Sequence, residues 1–280
     1  MKRTGLICVA TALALSAPAA MSDENAELII EGEQLVTKLA APEGNPLPEI
    51  LSGWRFRTTE TQALQSDDFE NPGFVFVDQA IDQWETVEGS EGKSCASCHG
   101  DVEEGMKAVR SNMPKWNAAA NDLWSLENYI ENCRVKRMGA EPWKWGKANM
   151  NAMVALVGLQ SRGMPVDVDI DGPAREWWER GKEMYYTRYG QLELSCANCH
   201  EENYGNMIRA DHLSQGQING FPVYRLKNAK LNSIHDRFKG CIRDTRAETF
   251  NPGSAEFRAL ELYVTWRGEG LSVETPSVRN

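Results

Sequence analysis

The chain carries one five-residue pattern twice: two cysteines separated by two residues and followed at once by a histidine. The first copy, CASCH, spans Cys95–His99, and the second, CANCH, spans Cys196–His200. Two thiols at this spacing match the two vinyl groups of haem, and the adjacent histidine is then held under the iron as its proximal ligand. We therefore predict two covalently bound haem c groups. The predicted thioether cysteines are Cys95, Cys98, Cys196 and Cys199, and the predicted proximal ligands are His99 and His200.

A zinc site or a redox dithiol is the alternative use of such a motif. A dithiol needs no histidine, and a zinc site needs a second pair of ligands nearby. Signs of export and of helices on both sides of each motif, described next, favour haem.

The N-terminus predicts a secretory signal peptide over residues 1–19. Lys2 and Arg3 precede the apolar run Leu6–Leu15, and Ala17–Ala19 supplies a small-x-small cleavage signal. Its removal would take Lys and Arg from 30 to 28 against 40 Asp and Glu, a net charge of about −12. This charge argues against nucleic acid or an anionic membrane surface as a partner, and no later stretch reaches the roughly 18 apolar residues of a membrane span. We expect a periplasmic protein.

The 280 residues suffice for two domains of about 100 residues each. Apolar residues at helical spacing surround each motif, and the order helix, motif, helix, lone cysteine and closing helix ending in Arg-Gly occurs twice. We predict a mainly α fold of two tandem cytochrome c-like domains related by duplication, with an N-terminal extension. The predicted segments are an extension at 20–51, a first domain at 52–163, a linker at 164–172 and a second domain at 173–280.

Three local expectations accompany this division. From Ser22 to about Leu51 the composition favours a polar, acidic helix followed by a Pro- and Gly-containing connector. Gly240 is expected to break the helix that leads to the second lone cysteine. After a closing helix at about Ala255–Trp266, the chain is expected to finish as a short polar tail.

The lone cysteines, Cys133 and Cys241, recur at matching places in both halves. Cys133 lies 34 residues after His99, and Cys241 lies 41 residues after His200. We predict that each is a thiolate ligand on the other side of its haem iron, which would stabilise the ferric state. A disulfide between them is one alternative, although it would require their Cα atoms to lie within about 6 Å across two domains. Two spare thiols are another.

Other side chains can also supply a sixth ligand. Bis-histidine ligation would need His212 and His235, which both lie in the second half and leave none for the first haem. Methionine is a common ligand in small cytochromes c, although most methionines fill gaps in cores. The candidates are Met106, Met113, Met138, Met150, Met153 and Met207.

Basic side chains surround the second lone cysteine in an otherwise acidic protein. Guanidinium groups bind oxyanions in bidentate fashion, and local positive charge stabilises a thiolate. A solvated basic face or a set of haem propionate partners is the alternative, and Cys133 has basic neighbours too, so charge alone does not choose the catalytic haem. The basic residues are Arg237, Lys239, Arg243 and Arg246 near Cys241, and Arg134, Lys136 and Arg137 near Cys133.

Two attachment motifs, a lone cysteine after each, and the stretch FKGCIRD at Phe238–Asp244 resemble the SoxA family. These proteins are the dihaem subunits of the bacterial SoxAX sulfur-oxidation cytochrome. The resemblance covers nearly the whole mature chain. It indicates the branch of the family that keeps both haems, because the first motif and Cys133 are intact.

The resemblance implies an L-cysteine S-thiosulfotransferase that pairs with the monohaem cytochrome SoxX. Such an enzyme joins thiosulfate oxidatively to a cysteine of the SoxYZ carrier and passes two electrons to cytochrome c. Cys241 matches the family's reactive ligand, found there as a persulfide, and Arg237 matches its substrate-binding arginine. Cys133 matches an axial ligand without a catalytic role. Lys239 and Arg243 are added as substrate-binding candidates on charge alone.

Two other functions remain possible on this sequence. A periplasmic dihaem electron-transfer cytochrome would use both cysteines as inert ligands and would work at higher potentials. A haem-based sensor would need an open or readily displaced sixth position.

Overall fold

The structure is a computed structural model that describes residues 26–209 and 211–280. The predicted signal peptide at 1–19 lies outside the described residues. Helix is the main secondary structure, which confirms the predicted fold class at this level. The α-helices are α1 Thr59–Ser66, α2 Phe74–Glu85, α3 Ala96–His99, α4 Val102–Gly105, α5 Leu126–Asn132, α6 Ala148–Leu159, α7 Ala174–Tyr186, α8 Cys196–His200, α9 Ile234–Asp244 and α10 Ala255–Arg267.

Short 3-10 helices span Gly53–Phe56 and Arg110–Asn112, and a π-helical segment spans Cys133–Met138. The strands are two or three residues long. They are β1 Leu28–Ile30, β2 Glu33–Leu35, β3 Lys38–Ala40, β4 Glu49–Leu51, β5 Lys115–Asn117, β6 Asp122–Trp124, β7 Met207–Ile208, β8 Asp211–His212, β9 Val223–Arg225, β10 Lys230–Asn232 and β11 Ser277–Arg279. Among the described helices, none is long and apolar enough to cross a membrane.

Helices α7 and α10 cross in close contact and form the core of the second half. Gly181 makes this crossing possible, because a Cβ on it would lie 2.0 Å from the Ala259 carbonyl oxygen. Around the crossing, Trp178 packs edge-on against Tyr263 and Trp266 with ring centroids 5.5 and 5.0 Å apart. These aromatic contacts stabilise the crossing, where the backbones of the two helices lie very close together.

In the first half, α2 packs on α6. Helix α2 buries one stripe, formed by Val77, Ala80 and Trp84, as its apolar spacing predicts. Helix α6 is buried on every side from Met150 to Gly158. The reason is that α6 is enclosed on several sides: α2 and α5 pack against it, and the Thr275 side chain would lie 2.9 Å from a Cβ on Gly158.

The N-terminal extension is not helical, so the helix expected over residues 22–51 is wrong for its described part. Strands β1 and β2 form an antiparallel hairpin, and β3 and β4 form another. Leu28 and Ile30 are buried while Ile29 between them is exposed, which is the alternation of a strand. The turn at Glu31 and Gly32 has φ of 51° and 84°, the left-handed conformation that tight hairpins require.

The prediction of a short polar tail at the C-terminus is also wrong, because residues 271–278 are buried. Strand β11 pairs in parallel with β9 of the second half. The same segment reaches the first half and the extension: Asn71 Nδ2 donates to the Pro276 oxygen at 2.9 Å, and Ser272 N donates to the Val36 oxygen at 2.9 Å. The buried hydroxyls of Ser272, Thr275 and Ser277 each donate to a carbonyl oxygen of another segment.

Residues 164–172 run without helix or strand along this C-terminal segment. Val166 and Val168 are buried, and Val166 N donates to the Leu271 oxygen at 2.9 Å. Glycine at position 240 does not end α9, which continues to Asp244. The expected break fails because one glycine costs only about 1 kcal/mol in a helix, less than the burial of Phe238 and Ile242 on either side stabilises.

Both halves share a local arrangement before the attachment motif. A single β-bridge joins Glu88 to Lys93 in the first half and Tyr189 to Leu194 in the second. In each half a glycine lies between the two bridged residues in sequence. This glycine packs against the segment that follows the lone cysteine. A Cβ on Gly89 would lie 2.1 Å from the Met138 oxygen, and a Cβ on Gly190 would lie 2.2 Å from the Thr245 oxygen.

Candidate active site and attachment motifs

Each attachment motif forms a short helix held by a reciprocal cap at its start. In the second motif, Asn198 N donates to Ser195 Oγ at 3.3 Å, and Ser195 N donates to Asn198 Oδ1 at 2.9 Å. In the first motif, Ser94 and Ser97 make the same two bonds at 3.1 and 2.9 Å. The third residue of each motif therefore caps the short helix that carries the two cysteines and the histidine.

The His200 ring has a defined tautomer. Its Nδ1 lies 2.7 Å from the Ser214 carbonyl oxygen, which can only accept, so Nδ1 carries the proton and Nε2 is left as the electron-pair donor. Burial lowers the pKa of His200 to about 4 despite this bond, and the charges of Arg237 and Arg267 act in the same direction. A neutral imidazole with Nδ1 fixed by a carbonyl is what an iron ligand requires.

Cys241 lies within electrostatic range of the second motif. Burial, followed by the charges of Cys241 and Cys199, raises the pKa of Cys196 to about 12. Burial and then Cys241 also raise the pKa of Cys199, which Arg237 lowers. The thiols of Cys196 and Cys199 and the unprotonated nitrogen of His200 share one short helix, and Cys241 acts electrostatically on both thiols. This set of donors fits covalent haem c.

The first motif has the same relation to Cys133. Burial raises the pKa of Cys95, and the Cys133 charge adds to that rise. Burial likewise raises the pKa of Cys133, to which Cys98 contributes. The His99 ring lies 5.8 Å from the Trp84 ring, whose Nε1 donates to the Gly100 oxygen at 2.9 Å. These groups also fit a covalently bound haem.

One alternative ligand, His235, is engaged elsewhere, and the alternative disulfide is not formed. All six cysteines in the described part of the chain are free, so no disulfide joins Cys133 to Cys241. His235 is fully buried with both ring nitrogens bonded, Nδ1 to Gly253 N at 2.9 Å and Nε2 to Glu261 at 3.1 Å. Four methionine candidates lie buried in the protein. They are Met113, Met138, Met150 and Met153.

Helix α9 presents Arg237 beside Cys241. The two residues are four apart and therefore share one face of the helix. Gly240 directly precedes Cys241 in this helix, and a Cβ on it would meet no protein atom within 4 Å. Arg243 does not share this face: its guanidinium lies 3.4 Å from Asp244 with 70% of its side chain exposed. Lys239, two residues from Cys241, is partly exposed on another face.

Two arginines that sequence reasoning did not select lie near Arg237. Arg57 is buried, pairs with Asp211 and donates from Nη2 to the His212 oxygen at 2.7 Å. Arg225 donates from Nε to the Asn280 oxygen at 3.1 Å. Burial lowers the pKa of both, and the Arg237 charge contributes to each reduction. Arg57 directly follows the 3-10 helix Gly53–Phe56 and Arg225 ends β9, and no local sequence pattern marked either residue.

The first half lacks an arginine at the position of Arg237. Tyr129 lies four residues before Cys133, with its ring 4.9 Å from that of Trp124. Arg134 is buried and engaged: it donates to Glu88 at 2.6 Å and stacks 3.7 Å over Trp143. The two lone cysteines therefore have different surroundings, although the sequence places basic residues near both.

Comparison with known proteins identifies the family. The family model for the SoxA/TsdA cytochrome c domain matches residues 79–166. The L-cysteine S-thiosulfotransferase subunit SoxA of Rhodovulum sulfidophilum is 57% identical over 270 residues, covering 95% of this chain and 94% of that protein. The subunit of the same name from Paracoccus pantotrophus is 54% identical over 279 residues, covering 97% and 96%.

A solved structure agrees. The crystal structure of SoxXA from P. pantotrophus contains a chain that superposes with a TM-score of 0.88 at 53% identity, over 91% of this chain and 99% of that one. A relative from Pseudaminobacter salicylatoxidans is 54% identical over 95% of this chain and 93% of its own length. The attachment motifs and the relatives together show a cytochrome c domain that binds haem c covalently, and the chain belongs to the SoxA family of L-cysteine S-thiosulfotransferase subunits.

Proposed function

We propose that this chain is the dihaem, thiosulfate-conjugating subunit of a periplasmic sulfur-oxidation enzyme. Its reaction joins thiosulfate to a cysteine of the SoxYZ carrier protein, with cytochrome c as electron acceptor. SoxX is the proposed partner subunit, because the matching crystal structure is a SoxXA complex. Export by the signal peptide at 1–19 would place the chain in the periplasm.

Two haems are proposed, one in each of two tandem domains related by duplication. The support is the repeated arrangement of bridge, packed glycine, capped motif, β-hairpin, helix with lone cysteine and closing helix. The proposed boundaries are 52–163 and 173–280, with 20–51 as an extension and 164–172 as the connection. His99 and Cys133 are the proposed axial pair of the first haem, and His200 and Cys241 that of the second.

The net reaction forms one sulfur–sulfur bond. The sulfane sulfur of thiosulfate becomes bonded to the carrier cysteine, whose S–H bond breaks. One proton passes to solvent, and two electrons pass to cytochrome c. Covalently bound haem c supplies the one-electron redox chemistry at this position.

Arg237 and Cys241 carry the proposed reaction. The guanidinium of Arg237 can bind the sulfonate oxygens in bidentate fashion and so orient the sulfane sulfur toward Cys241 Sγ. Gly240, directly before Cys241, adds no side chain beside this face, and a Cβ on it would meet no protein atom within 4 Å. A bond between the sulfane sulfur and Cys241 Sγ is proposed to form as two electrons pass toward cytochrome c. The carrier thiolate then attacks the sulfane sulfur, the bond to Cys241 breaks, and the Cys241 thiolate leaves. Lys239 and Arg243 would act only through their charge, since neither shares the face of Cys241.

The observation that carries the proposal is the shared helix face of Arg237 and Cys241 beside the second motif. The first site has Tyr129 in place of that arginine, and its buried Arg134 is paired with Glu88. Charge near a cysteine does not separate the two sites, and the position of one arginine supports the second site as the reactive one. We infer that the first site transfers no thiosulfate.

Replacement of each lone cysteine tests this assignment. Cys241→Met should retain both covalent haems, because methionine can still ligate iron, and should abolish carrier conjugation. Cys133→Met should change the first haem's spectrum and retain conjugation. Haem content by mass and conjugation of purified carrier by gel shift are the measurements. Wild-type turnover in Cys241→Met would favour the electron-transfer function instead.

A further inference from the structure

A pair of carboxyl groups is buried where the two halves meet. Glu127, on α5, and Glu261, on α10, are each 4% exposed. Neither belongs to the attachment motifs or to the substrate-binding face of α9. Buried carboxylates are costly unless they are paired, hydrogen-bonded or protonated, so both require an account.

Glu261 has the contacts of an ionised carboxylate. Ser125 donates its hydroxyl to Oε2, and His235 Nε2 lies 3.1 Å from the same oxygen. His235 Nδ1 accepts from Gly253 N at 2.9 Å, so the ring's single proton is on Nε2 and points at Glu261. His235 is therefore neutral and gives Glu261 a hydrogen bond without giving it a positive charge.

The surroundings offer too little positive charge for two carboxylates. His235 and Arg110 both lie close enough to lower the pKa of each carboxyl if they are charged. The hydrogen bonds of His235 keep its ring neutral, which leaves Arg110, whose Nη1 also donates to the Met113 oxygen at 2.9 Å. The other charged group on this part of α10, Arg258, is held by Asp122 at 2.6 Å. Two like charges in one buried site disfavour each other, so one carboxyl is expected to keep its proton.

A cavity of about 10 Å³ adjoins the pair. It is roughly the size that holds a single water. Its polar lining consists of Arg110, Glu127, Ser233 and Glu261.

We propose that Glu127 and Glu261 form a shared proton-binding site at the junction of the two halves, in which Glu127 holds the proton and Glu261 stays ionised. The site is independent of the sulfur chemistry, because neither residue contacts the attachment motifs or Arg237. It binds its proton only when the halves are packed together, since residues from both halves enclose it.

The direction of the pH effect follows from the raised pKa. Burial, then the charge of Glu261, raises the pKa of Glu127 from 4.5 to about 7. Between these values the folded chain binds a proton that the unfolded chain has lost. Stability from this group is therefore present below pH 4.5 and declines as the pH rises to about 7.

Glutamine variants separate the two carboxyl groups. Glu127→Gln mimics a protonated side chain, so its unfolding temperature should equal that of the wild-type holoprotein at about pH 4, below the unfolded pKa of the glutamate. At pH 8 it should exceed the wild type by at least about 4 °C. Glu261→Gln should be destabilised at every pH, because its amide group would face the two donors. Glu176→Gln, an exposed first-turn position on α7, is the matched control and should show no pH-dependent difference.

Infrared spectroscopy provides a second measurement that does not depend on the folding of Glu261→Gln. The wild-type protein should show the carbonyl band of a protonated carboxylic acid at pH 6, and Glu127→Gln should lack it. The proposal is overturned if that band is the same in both proteins. It is equally overturned if the stability difference of Glu127→Gln is independent of pH, or if Glu261→Gln shows the pH-dependent gain instead.

Discussion

Gly216 packs against the imidazole of His200 so closely that a Cβ on it would lie 2.9 Å from Cγ of the ring. The carbonyl that binds Nδ1 belongs to Ser214, two residues earlier, so one short loop both bonds the ring and supports its face. The loop therefore sets the direction of Nε2.

Gly216→Ala should displace the His200 ring and alter the spectrum of the second haem. Both Gly216 and Gly205 have a φ near +80°, and alanine at either costs about 1–2 kcal/mol of backbone strain. A Cβ on Gly205 would contact nothing, so Gly205→Ala is the matched control. Low-temperature electron paramagnetic resonance should show the low-spin signal changed in Gly216→Ala alone. Equal spectra in the two variants would contradict a positioning role for the loop.

Arg237→Ala should raise the KM for thiosulfate by about 10- to 100-fold, the value of a lost charge-assisted bidentate contact. Arg237→Lys should recover only part of this, because an ammonium keeps the charge without the fork. Arg246, exposed beyond the end of α9, gives the control Arg246→Ala. Arg243→Ala is expected to change KM by less than about threefold, since its guanidinium faces Asp244 in solvent. Steady-state kinetics with purified carrier distinguishes direct binding of thiosulfate by Arg237 from a general electrostatic effect of the nearby positive charges.

Gly181→Ala should destabilise the protein by about 3 kcal/mol or more, because the added methyl would overlap the Ala259 backbone where α7 crosses α10. Gly240→Ala, also within a helix, meets open space and should stabilise by about 0.5–1 kcal/mol. Chemical denaturation of both variants measures the difference. A loss of stability in Gly240→Ala would contradict the continuous helix through that residue.

A peptide-bond cut between Asp171 and Gly172 should leave the two halves associated. Both residues are exposed, so an inserted protease site would be accessible there. Residues 271–280 pair with β9 on one side and contact Gln65 and Asn71 on the other. Gel filtration of the cut protein should give one peak that denaturant splits into two. Separation without denaturant would show that this segment does not join the halves.

The candidate haem-binding residues were selected from patterns visible in the sequence. Each attachment motif spans five residues, and the lone cysteines were selected because they recur at corresponding places, 34 and 41 residues after the motif histidine. Helix α10 was predicted at about Ala255–Trp266 and is observed at Ala255–Arg267, as its capped, periodic sequence favours.

What sequence reasoning missed depends on long-range contacts. Residues 271–278 look polar, and only their partners in other segments explain why Glu274 and Thr275 are fully buried. Arg57 and Arg225 lack any motif, and the fold brings them near Arg237. The N-terminal hairpin was missed for another reason: three-residue strands are too short for a period of two to stand out from a helical pattern.

The C-terminal segment also has a consequence for the order of events during biogenesis. Its contacts with the N-terminal hairpins span more than 200 positions, as in the bond between Val36 N and Ser272 Oγ. Such distant pairs form slowly, because a long loop of chain must first be closed. Both CXXCH motifs precede residues 271–280, so they are synthesised before those contacts can exist. Each motif is therefore available for haem attachment in a chain that has not yet closed.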